Sequence, residues 1–129
     1  MEAVIAPRAC RGEGTIRSAT IADVSALSRL LTSAGIAERA LTGTDVAAWL
    51  ARGRLIVLDV GAGAVGAAAY AALDVRDGGV HARIDLFVVS PALVGTGSED
   101  RMAAALLAVC ENSGCIDIDV PPKGASRLA

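Results

Sequence analysis

Three apolar runs follow one another with only short, glycine-bearing breaks between them, and this pattern constrains the fold most. They read "LIVLDV" (Leu55–Val60), "AVGAAAYAAL" and "VHARIDLFVV", the last ending at Val89. Their β-branched content and turn-forming flanks mark them as strands. Gly61-Ala62-Gly63 separates the first two, and a turn within Asp74 to Gly79 separates the second from the third. Parallel neighbours need a crossover of about a dozen residues or more, whereas such short breaks suit hairpins. The middle of the chain is therefore an antiparallel meander, which Pro91 stops.

Helical spacing surrounds this meander. Thr20-Ile21-Ala22-Asp23 starts a helix, with Thr20 as N-cap and Asp23 in the first turn. Val24, Leu27 and Leu31 recur at helical intervals, and Gly35 ends the run. A second short helix from Thr44 places Val46, Trp49 and Leu50 on one face, with Gly53 beyond its end. After the meander, Met102, Leu106, Val109 and Cys110 form the inner face of a helix from about Gly97 to Ser113. Thr15 to Ser18 is a short first strand and "CIDIDV" a last one. The order β-α-α-β-β-β-α-β predicts one α/β domain of the α+β type over residues 15–120. Its sheet is mixed but mostly antiparallel, and its final strand is joined through a crossover helix. Residues 1–14 read as a loose leader and residues 121–129 as a polar tail after two prolines.

At 129 residues the chain can bury a core as one domain. A formal net charge of −2 provides no basic field for nucleic acid. Aromatics are limited to Trp49, Tyr70 and Phe87, too few for a stacking platform. No apolar run reaches the roughly 18 residues of a membrane span, and "MEAVIAPRACRGEG" lacks the charged head and apolar stretch of a signal peptide. Cys10, Cys110 and Cys115 have no metal-type spacing, and His81 is the only histidine, so no metal site is expected. These features together predict a reduced, cytoplasmic protein.

The order of elements resembles the GNAT acyl-CoA-dependent N-acetyltransferases over residues 15–120. The most specific stretch is "IDLFVVSPALVGTGSEDRM", in which Val89, Pro91, Gly97 and Met102 fall in register with the family's strand, Val-x-Pro, glycine loop and apolar helix. Gly66 also stands where that family's third strand carries a glycine. The resemblance implies acetyl-CoA as acyl donor and a primary amine, on a small molecule or a peptide, as acceptor. Gly95, Thr96, Gly97 and Ser98 would form the phosphate loop, and strand backbone around Val88 and Val89 would pair with the pantetheine arm. A small-residue turn before a helix start suits a phosphate, because backbone N–H groups converge there on the positive dipole end. The cofactor set also includes Val94 and Glu99, at which the chain departs from the pattern: the family has Arg or Gln and Gly or Ala there. The sequence also stops soon after the fifth strand, where family members continue with a helix and two strands. That early stop leaves an open sheet edge and predicts a homodimer. It equally suits a catalytically degenerate binding or regulatory module, or an assembly subunit.

Two side chains are candidates for acid–base work. Asp85 falls where many family members carry a glutamate and could take a proton from the acceptor amine. His81, four residues earlier, shares its face of the strand, and an imidazole is the side-chain type suited to proton transfer near neutrality. Cys110 reads as core, and Trp49 as core or groove lining. Thr96-Gly97-Ser98-Glu99 matches a Thr-x-x-Glu capping box, which would occupy N–H groups that a phosphate needs.

Overall fold

In a computed structural model, which describes residues 14–36 and 40–119, five strands form one sheet in chain order. They are β1 (Thr15–Ser18), β2 (Gly53–Gly61), β3 (Ala64–Arg76), β4 (Gly79–Val89) and β5 (Cys115–Asp119). The first four run antiparallel in sequence, and β5 lies parallel to β4. Helices α1 (Val24–Ser33) and α2 (Gly43–Arg52) cover one face, and α3 (Ser98–Asn112) covers the other. The expected order and mixed α+β class are observed. Residues 1–13 of the leader, Cys10 among them, and the tail lie outside the described residues.

Both N-terminal helices begin with reciprocal caps. Thr20 and Asp23 form a capping box around a 3-10 turn, Ile21–Asp23, that leads into α1. Thr42 and Asp45 form another, which moves the start of α2 to Gly43 from the expected Thr44. Arg17 on β1 binds both oxygens of Asp23 at 2.9 Å and reaches Asp59 on β2 at 3.2 Å. This network ties the first strand, the first helix start and β2 together.

Hairpin turns are two residues long. Ala62-Gly63 and Asp77-Gly78 all have positive φ, which such turns require to match the twist of the flanking strands. The second turn is shorter than the Asp74–Gly79 expectation, because Asp-Gly at its tip lets β3 run on to Arg76. Asp74 is thus a strand residue paired with His81.

The middle strand is largely alanine. Ala67, Ala69 and Ala71 are buried toward α3 with Ile56, Leu58, Met102, Leu106 and Cys110. On the opposite face Ala68 and Tyr70 join Leu27, Leu31, Val46, Leu55 and Val57. Trp49 stacks on Tyr70 with ring centroids 5.7 Å apart, so it belongs to this core. Helix α2 passes directly into β2 at Gly53, where a Cβ would collide with the carbonyl of Ala71 on the neighbouring strand. Among the described residues no helix is long and apolar enough to cross a membrane.

Candidate active site

The sheet parts at one point. β5 pairs with β4 only from Val80 to Arg83, and β4 shifts register against β3 between Tyr70↔Leu86 and Ala71↔Ile84. Asp85 is the extra residue of that bulge, which bends the strand and leaves it locally unpaired. From Asp85 to Val89, β4 has no strand neighbour on the β5 side among the described residues. Ser90 donates its N–H to Gly66 at 2.8 Å. Antiparallel alternation then pairs Val88 with Ala68 and turns the N–H and C=O groups of Phe87 and Val89 into the gap. Of the two residues read from sequence, Val89 presents backbone there, whereas Val88 is buried and faces β3. Phe87 was missed, though the two-residue alternation counted from Val89 was the signal.

The loop after β4 is built from short-range contacts. Leu93 seats against Gly66, where a Cβ would come within 2.5 Å of its methyl group. Gly95 and Gly97 take left-handed φ values of 87° and 89°, which side chains disfavour. Thr96 Oγ1 donates to the Leu93 carbonyl at 2.6 Å, so at the 2.9 Å contact with Ser98 the hydrogen comes from Ser98. Ser98 is buried as the first residue of α3, and Val94 is exposed.

The expected capping box does not form. Gly97, not Thr96, is the N-cap, and no side chain caps it. The left-handed turn at Gly97 displaces Thr96 from the capping position and sends its hydroxyl back to Leu93. Glu99 instead reaches the Gly95 N–H at 3.5 Å, a weak contact. The first turn's bond runs from Arg101 N–H to Gly97 at 3.1 Å. The N–H groups of Ser98, Glu99 and Asp100 have no acceptor among the described residues.

Asp85 lies on the α1/α2 side of the parting point, and Arg83 holds both its oxygens at 2.6 and 2.8 Å. Tyr70 is buried nearby, and no hydrogen bond of its hydroxyl is formed among the described residues. Burial, and then the Asp85 charge, pushes that hydroxyl above its ordinary value and keeps it protonated. His81 sits on the same side, but Nδ1 meets Asp117 at 2.7 Å and Nε2 meets the Arg76 carbonyl at 3.1 Å. Neither ring nitrogen is free to take a proton from a ligand. Burial pushes the Cys110 thiol up to about 11, as suits a core residue and not a nucleophile. No group of three or more His, Cys, Asp or Glu side chains among the described residues could hold a metal ion.

No family model matches the chain, and no curated protein is similar to it in sequence. Solved structures are similar in fold. Glucosamine-6-phosphate N-acetyltransferase from Arabidopsis thaliana superposes with a TM-score of 0.70 at 16% identity, over 85% of this chain and 82% of that one. An acetyltransferase from Trypanosoma brucei gives 0.72 at 20% identity, over 87% and 84%. A transcriptional regulator from Bacillus halodurans gives 0.69 at 19% identity, over 85% and 82%. The chain has the GNAT fold.

Proposed function

We propose that this protein is an acetyl-CoA-dependent N-acetyltransferase that acts on a primary amine. The observation that carries the reading is the juxtaposition of a β4 backbone and an α3 start whose N–H groups have no partner among the described residues. It is the arrangement that the likeness to acetyltransferases of this fold would require. When bound, acetyl-CoA supplies an acetyl thioester. Gly95 through Ser98 and the N–H groups at the helix start would hold its phosphates, and the open backbone of Phe87 and Val89 its pantetheine arm. Asp85, at the point where the strands part, would accept the amine proton through lone pairs not used by Arg83. Holding amine and thioester together provides the rest of the rate enhancement.

Glu99 tunes this site. Its carboxylate sits beside the Gly95 N–H, one of the groups that a phosphate would use. At about 4 Å, one charge on another costs roughly 1 kcal/mol in water and about 4 at a surface-like dielectric. Glu99→Gln is therefore expected to tighten acetyl-CoA about tenfold, or 1.4 kcal/mol. With no capping box to lose, its stability should fall only by what a dipole contact contributes, about 0.3–1 kcal/mol. Calorimetric titration of both proteins tests the function and the tuning together. Equal, low-micromolar affinities would make Glu99 a bystander. No heat from either protein would favour a non-enzymatic binding module on the same fold, a reading that the acidic helix start supports.

We also propose that the protein is a homodimer. The outer edge of β5 has no strand neighbour among the described residues, and Ile116 on that strand is exposed at 63%. An unprotected edge that exposes an apolar side chain favours pairing with a second copy. Light scattering should give twice the 12.9 kDa chain mass at micromolar concentration. A monomer throughout that range would exclude the dimer.

A further inference from the structure

Beside the parting strands, at the end of α2, lies a cleft of about 490 Å³ lined also by β2, β3, β4 and the end of β5. Its charged lining is Arg52, Arg54, Asp74, Arg76, Arg83 and Asp119. Half of these charges are already matched. Arg76 binds Asp74 at 3.0 Å and Asp77 at 3.1 Å, and Arg83 holds Asp85. Three have no opposite charge: Arg52, in the last turn of α2, and Asp119, at the end of β5, make no hydrogen bond or ion pair among the described residues, and Arg54 meets only the Gly53 carbonyl, at 3.3 Å. Unmatched charges of both signs therefore face the same space.

A ligand of a single charge would satisfy one sign and leave the other. We infer that the cleft takes a small molecule carrying both an amine and an anionic group, carboxylate or phosphate, with the anion at Arg52 and the amine toward Asp119. The register orients it. Asp119 stands opposite Arg83, two residues before the bulged Asp85, so the amine end lies where the strands separate. The anionic end lies at the α2 wall. The charges of Asp85, Arg52 and Arg83 all act on the Tyr70 hydroxyl, so the polar groups of this face form one neighbourhood. A guanidinium suits either anion, because its fork of donors matches two oxygens at once. This inference rests on the proposed function in one respect only, that the ligand is the amine acceptor.

The test uses the whole chain. Glycine, β-alanine and 2-aminoethyl phosphate provide carboxylate and phosphate at different spacings, with ethylamine and ethanolamine as counterparts lacking the anion. Amide chemical shifts measured during titration report binding, and release of the CoA thiol from acetyl-CoA reports turnover. At least one amino anion should bind about tenfold or more tighter than its counterpart, with shifts at Arg52 and Asp119. Arg52→Gln should erase that preference, and Arg52→Lys should restore part of it. The phosphate and carboxylate arms identify which anion is preferred. If amines bind as well without the anion, or Arg52→Gln leaves the preference intact, the inference is overturned, whatever turnover shows. If the preference holds and no CoA is released, the ligand class stands and the acetyltransferase reading falls.

Discussion

Asp85→Asn is expected to lower turnover by about 10²- to 10⁴-fold while leaving acetyl-CoA affinity nearly unchanged, the contribution usual for a positioned base. The amide keeps the side chain's size but cannot take the amine proton, so the loss falls on the chemical step. Asp85 lies away from the glycine loop, on the opposite end of the unpaired part of β4, which is why binding should survive. Arg83 would lose its bidentate partner in this variant. Arg83→Gln is a control for that loss, because it also breaks the pair while leaving the carboxylate free to accept. Calorimetric titration together with single-turnover CoA release separates the two effects. A rate unchanged in Asp85→Asn removes this carboxylate from the reaction, and an equal loss in both variants assigns it a positioning role.

The largest stability effect is expected at Asp23. Its buried carboxylate receives two bonds from Arg17 and the Thr20 N–H at 2.8 Å, so one side chain serves both a salt bridge and a capping box. Removing one partner of a buried pair costs about 3–5 kcal/mol, and losing a cap about 0.5–2. Arg17 is partly exposed and keeps Asp59, so less than the fully buried cost, about 2–4 kcal/mol, is expected for Asp23→Ala. The bonds from Arg17 hold the Asp23 carboxyl below its ordinary value, against the opposing effect of burial. A carboxyl depressed in the folded state stabilises fully above its unfolded value of about 3.9. That stabilisation is lost as pH falls through the lower folded value. Denaturant midpoints for wild type and Asp23→Ala should therefore differ most near neutrality and converge below about pH 4. A gap that persists undiminished into acid would mean that the variant loses packing and not a charge interaction.

The elements that sequence revealed are those whose causes are local. Alternation, β-branched content and Asp-Gly or Gly-flanked turns mark β2, β3 and β4, and apolar spacing marks the three helices. Departures occur where a contact distant in sequence, or a backbone choice, decides. The bulge at Asp85 depends on how β4 pairs with β3, and nothing in "RIDLF" announces the extra residue. The engagement of His81 depends on Asp117, which arrives only when β5 pairs in parallel. Thr96 and Glu99 match the capping pattern, yet the left-handed Gly97 shifts the helix start by one residue. Conversely, the Arg83–Asp85 pair was legible in principle, since residues two apart on a strand share a face.

The alanines of β3 set the direction in which this protein can drift. With methyl groups where other sheets carry leucine or valine, there is little on that strand to truncate, and smaller replacements remove few contacts. Enlargement has no such latitude. Ala67, Ala69 and Ala71 are wholly buried toward α3, and Ala68 is buried on the other side. An added branch at any of them must push a helix away from the sheet, at about 1–3 kcal/mol each. Purifying selection on this strand should therefore act on side-chain volume more than on hydrophobicity, permitting glycine, serine or cysteine where it rejects isoleucine.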